Sequence, residues 1–166
     1  LRLHIQLLTL LVAAALLAGC SFHLRGQAAM PFQTLYLKAT NPGTPFIKEL
    51  SRNLEANNVK LVDTAAKADV VLDIVAEIPD KQILSLSGSG RVNEFQLFYR
   101  VSLRAYDREQ HDVIPAEEIM MHNDFPYDDS NVLAMESEET LLYQNLRSDM
   151  VQRIVRRLSR IDLKPQ

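Results

Sequence analysis

Few residues of this 166-residue chain are of types and spacings that do chemistry. Its one thiol is Cys20, and its histidines stand at His4, His23, His111 and His122. A lone thiol forms no intrachain disulfide and no Cys-rich zinc cluster. No two histidines hold the HExxH spacing that sets two imidazoles on one helix face, and no GxSxG elbow occurs. Gly88-Ser89-Gly90-Arg91 resembles a fragment of a phosphate loop, but a strand pattern follows it, not the helix N-terminus such a loop needs. Asp128-Asp129 with Glu136, Glu138 and Glu139 offer carboxylates to a weakly held cation, or else cap a helix and solvate its face. Arg153, Arg156, Arg157 and Arg160 form a basic strip. It either meets lipid phosphate or an acidic partner, or complements a helix dipole. No catalytic residue, metal ligand set or cofactor site is expected, and a hydrolase lacks its nucleophile–base pair.

The neighbours of Cys20 give it another use. Residues 1–20 read LRLHIQLLTLLVAAALLAGC, with Arg2 before an apolar run from Leu7 to Leu17 broken only by Thr9. That run is short for a span, which takes about 20 apolar residues, and suits a signal-peptide h-region. Leu17-Ala18-Gly19-Cys20 resembles the bacterial lipobox, in which cleavage frees a cysteine that carries acyl chains. The expectation is a leader over 1–19, a covalent lipid on Cys20 with a tether over 20–33, a domain over 34–161 and a tail over 162–166. Ser21, not Asp, after the cysteine resembles the enterobacterial sorting pattern, which implies the outer membrane, on its periplasmic side.

The remaining chain must be positioned by an ordinary core. Hydrophobic residues make up 47% and charged residues 23%, which is globular, and 18 basic against 21 acidic side chains exclude a general nucleic-acid binder. Thr34 to Lys38 reads as a short strand. Thr44 caps a helix that has Pro45 in its first turn and an apolar stripe of Phe46, Ile47, Leu50 and Leu54, with Asn57-Asn58 as its stop. Val59 to Val62 is a brief strand and Val70 to Ile78 a longer one. Pro79-Asp80 is expected to turn the chain into Gln82 to Ser87. From Val92 to Tyr106 apolar and polar residues alternate, with Phe98 the one apolar intruder, so one sheet face is dry and the other wet. Val113 to His122 returns beside it as an edge strand, since Pro115 is tolerated at edges and bulges. A long helix runs from about Asn131 to Arg160. The fold class is therefore α+β, with two helices packed on one face of a mainly antiparallel or mixed sheet of about four strands.

After the lipobox stands Cys20-Ser21-Phe22-His23-Leu24-Arg25-Gly26, which resembles the mature start of the LPS-assembly lipoproteins, the LptE family. Glu94-Phe95-Gln96 is similar to that family's Glu-Tyr-Gln at the head of its longest strand, and the order of elements agrees along the mature chain. The resemblance implies a non-enzymatic lipoprotein that plugs and helps to assemble an LptD-type outer-membrane β-barrel and binds lipopolysaccharide. It points to Arg91 and Lys81 as candidate lipopolysaccharide contacts, an exposed loop arginine being the alternative for Arg91. At the start of the last helix this chain has Glu136 where the family pattern suggests a basic residue. Ile119, Met120 and Met121, where alternation fails in the edge strand, are candidate barrel contacts, or else core packing against the final helix. The competing function is a free-standing periplasmic lipoprotein that binds a small ligand or peptidoglycan.

Overall fold

The computed structural model describes residues 29–163. The expected leader, Cys20, most of the expected tether and the last three residues lie outside that range. Seven elements follow one another: β1 (Thr34–Ala39), α1 (Pro45–Ala56), β2 (Lys60–Leu61), β3 (Val70–Leu86), β4 (Val92–Asp107), β5 (Asp112–Pro126) and α2 (Val132–Leu158). The sheet order is β2-β1-β3-β4-β5. β1 is parallel to both neighbours, and β3, β4 and β5 are antiparallel. The expected α+β class and mixed sheet are present. The strands number five, because Lys60 and Leu61 pair with Thr34 and Leu35.

Local chemistry explains α1. The Thr44 hydroxyl accepts from the Ile47 N–H at 3.2 Å and Pro45 occupies the first turn, where a missing N–H costs nothing. Phe46, Ile47, Leu50 and Leu54 are buried, and Asn58 takes φ 62°, a left-handed stop that Asn tolerates. On β4, Leu97, Tyr99, Val101, Leu103 and Ala105 are buried in one core with Leu50 and Leu54 of α1 and Met150, Ile154 and Leu158 of α2. Each such leucine contributes roughly 1.5–3 kcal/mol by leaving water. The other face of β4 carries Gln96, Phe98, Arg100, Ser102 and Arg104, and no helix among the described residues covers it.

Two sequence expectations are corrected. Pro79-Asp80 makes no turn: β3 is continuous from Val70 to Leu86, and Pro79 pairs with Tyr99. The pairing of β1 ends at Ala39 opposite Ile74, so beyond that point β3 has, among the described residues, a neighbour on one side only, where proline is tolerated. A register shift between Ile74 and Ala76 marks the same place. The return strand also runs past His122 to Pro126, with Asp124 opposite Gln96 and Phe125 opposite Phe95. Pro115 lies where the β4–β5 register slips, in the edge strand, as its chemistry requires.

Candidate functional site

The lengthened β5 builds a seat for Lys81. Phe125 and Tyr127 arrive beside Phe95, with ring centroids 6.5 Å and 5.1 Å from it. The Lys81 ammonium sits 4.1 Å above the Phe95 ring and 5.9 Å from each of the other two. Its charge meets Glu139 of α2 at 2.5 Å. A cation over aromatic faces gains about 0.5–2 kcal/mol, so Lys81 is held by rings and carboxylate together. One turn along α2, the Tyr143 hydroxyl donates to the Asp80 carbonyl at 2.7 Å. These contacts fasten the first half of α2 to β3.

Arg91 is placed differently. It closes the β3–β4 turn, where the Ser87 N–H donates to the Arg91 carbonyl at 2.7 Å and Gly90 takes φ 77°. Its side chain is 71% exposed and reaches Asp129 at 3.3 Å. An exposed pair of this kind contributes about 0–1 kcal/mol, so a competing anion displaces it easily. Ile83, Leu84 and Leu86 on β3, with Val132 and Leu133 on α2, are exposed in these same segments. The sequence reading of this end passed over them, although Ile83-Leu84 is an apolar pair inside a strand with no neighbour on one side. Cations with exposed aliphatic side chains suit a phosphate-bearing amphiphile. Glu136 is exposed on the first turns of α2 and supplies no further cation.

The apolar trio in β5 is divided by the sheet. Ile119 is 8% exposed and belongs to the core, Met120 is 52% exposed opposite Arg100 on the uncovered face, and Met121 packs partly against the core. That uncovered face is laced with charge. Lys38 meets Asp73 at 2.6 Å, Arg100 meets Asp80 at 3.4 Å, and Gln96 donates to Asp124 at 2.7 Å. The hydrogen bond and charge of Asp73 hold the Lys38 ammonium above its ordinary value. Phe98 lies against His122, with ring centroids 6.0 Å apart. Under the helices, Glu77 accepts from the hydroxyls of Tyr99 and Thr44, and burial followed by that hydrogen bond raises the Tyr99 phenol above its ordinary value. Among the described residues no three His, Cys, Asp or Glu side chains gather into a metal-holding group.

The fold and these surfaces define a two-layer α+β module that presents one laced sheet face and one cation-bearing apolar end. A family model described as LptE, lipopolysaccharide-assembly, matches residues 32–158, and the chain belongs to that family. It is 32% identical over 158 residues to the LPS-assembly lipoprotein LptE of Yersinia pestis (strain Pestoides F), covering 92% of this chain and 75% of that one. Among solved structures it resembles a lipoprotein B from Nitrosomonas europaea, with TM-score 0.73, 38% identity and coverage of 84% of this chain and 90% of that one. The rare lipoprotein B from Shewanella oneidensis is similar at TM-score 0.68 and 26% identity, covering 75% and 92%.

Proposed function

We propose that this protein is a non-catalytic lipoprotein of the outer membrane, anchored through acyl chains on Cys20, that plugs an LptD-type barrel, assists its assembly and takes part in moving lipopolysaccharide to the outer leaflet. The observation that carries the reading is family membership across residues 32–158, nearly the whole described domain. The geometry supports it in two ways. Barrel interiors are largely polar, and the uncovered sheet face, with Lys38, Arg100 and Gln96, offers such a wall matching polar groups, with Met120 exposed among them as an apolar contact. The end that bears Arg91 joins an exchangeable cation to exposed aliphatic side chains, the two chemistries of lipopolysaccharide. Lys81, already satisfied by Glu139 and three rings, serves the ligand only if Glu139 is displaced.

The test is a detergent pull-down through a C-terminal tag, paired with depletion. One large barrel protein is expected to co-purify, and that barrel is expected to lose its mature form when this protein is removed. A barrel that matures normally without it overturns the reading.

A further inference from the structure

The structure assigns a second surface: the end of the fold where the chain enters docks on anionic phospholipid headgroups, with Arg153, Arg156 and Arg160 meeting their phosphates. This rests on the acyl-anchor reading of Cys20.

These arginines lie along the last two turns of α2 and just beyond it, bordering a groove of about 930 Å³ between α2 and the β4–β5 turn. Arg157, beside them, is taken by Glu117 at 2.9 Å. The side chains of the other three are exposed and meet no ion-pair or hydrogen-bond partner among the described residues. A helix dipole accounts for cations in the last turn, which holds Arg156 and Arg157. It does not account for Arg153, which lies before that turn. Four acids share the groove, and one of them, Asp112, is drawn to an arginine outside it. Asp107 accepts the N–H groups of Glu109 and His111, each at 2.9 Å, and Asp112 lies 3.9 Å from Arg104. Asp107, whose amide donors keep it ionised, tempers the charge together with Asp149 and Asp162. Met121 and Ile161 give the groove an apolar floor.

Position makes the occupant specific. The N–H groups of Gln33 and Thr34 donate to Asp69 at 3.1 and 2.9 Å, and Asp69 also holds Arg108 at 2.8 Å. Arg108 belongs to the β4–β5 turn, whose Asp107 and His111 border the groove. The point where the chain enters and the free arginines therefore share one end of the molecule. The segment from Cys20 to Gln33 extends at most about 45 Å, so acyl chains on Cys20 keep this end near the lipid. The β3–β4 turn with Arg91 lies at the far end of a 16-residue strand, roughly 50 Å of chain away. The acyl chains supply the anchor, and basic side chains held close to the surface add attraction for anionic headgroups and set which end faces them.

Because Cys20 is the one cysteine, once acylated it leaves an introduced thiol unique. The acylated full chain carrying Ser159→Cys, or Ser89→Cys as the far-end control, is labelled with a fluorophore. It is then placed in phosphatidylcholine vesicles with or without phosphatidylglycerol and a headgroup quencher. Quenching at position 159 should exceed that at 89 only with phosphatidylglycerol. The excess should vanish in high salt, and each arginine changed to Gln should lower the docked-to-undocked ratio about fivefold. Mass spectrometry reports the acyl groups. Acylated protein with equal quenching at both positions overturns the docking and leaves the anchor standing. An unmodified Cys20 sinks the anchor and the docking together. Quenching that needs lipopolysaccharide in the vesicle overturns the phospholipid assignment. Circular dichroism of the Gln variants confirms that any loss is not unfolding.

Discussion

Arg147 of α2 donates to Glu49 of α1 at 2.9 Å, and the neighbouring Ser148 hydroxyl donates to the other oxygen of the same carboxylate at 2.6 Å. This clasp joins two helices that are almost a hundred residues apart in sequence and sets their spacing over the sheet. Burial alone would raise the Glu49 carboxyl. The donors outweigh it and hold the group below its ordinary value.

That depressed carboxyl gives a signed pH dependence. A group with a lowered folded pKa stabilises the fold above its unfolded pKa, and the contribution disappears as pH falls through the folded value. Asp69, also lowered against burial by its Thr34 and Gln33 donors, acts in the same direction. Urea denaturation should therefore show stability falling below about pH 4. Glu49→Gln should lose about 2 kcal/mol at pH 7 and little at pH 3. An equal loss at both pH values would show that the clasp depends on shape and not on charge.

Removal of the Lys81 charge should loosen one half of α2 selectively. Lys81→Glu places like charge against Glu139 and should raise amide exchange from Met135 to Tyr143, leaving Met150 to Leu158 protected by the core. Lys81→Met, which keeps contact with the rings, should do so less. Unchanged exchange in the Lys81→Glu variant contradicts the fastening role.

The cap of α1 should be worth more than an isolated N-cap. Thr44→Ala removes both the acceptor for the Ile47 N–H and a donor to Glu77, so a loss of about 1–2 kcal/mol is expected in chemical denaturation. Thr44→Ser should recover most of it. Failure of the serine to recover stability would assign the effect to the lost methyl group.

Leu50 is fully buried between α1 and the sheet, and Leu50→Ala should cost about 2–5 kcal/mol with the denaturation slope unchanged. A loss below 1 kcal/mol would mean that the core collapses around the cavity.

Cys20→Ala should abolish acylation and lipoprotein processing, with the uncleaved leader detectable by mass. Continued acyl modification of that variant would remove the lipobox reading.

The elements legible in the sequence are those whose signal is local. Alternation from Phe95 to Ala105, broken only by Phe98, identifies β4 and its two faces, because side chains on a strand point to opposite sides at period two. The stripe of Phe46, Ile47, Leu50 and Leu54 and the Thr44 cap identify α1. Glu94-Phe95-Gln96 and the order of elements carry part of a resemblance that the family match over residues 32–158 supports; the seven residues beginning at Cys20 lie before that match. Tertiary structure decided what depends on neighbours distant in sequence. Pro79 stays in a strand because β1 has already ended beside it, and no local pattern states where a neighbouring strand stops. Ile119, Met120 and Met121 look like one patch in sequence, yet the pleat sends the first into the core and the second to the uncovered face. Lys81 reads as a free cation until Phe95, Phe125, Tyr127 and Glu139 arrive from three other parts of the chain. Composition fixes how many cations the protein has; the sheet register and helix docking fix which of them remain available to a ligand.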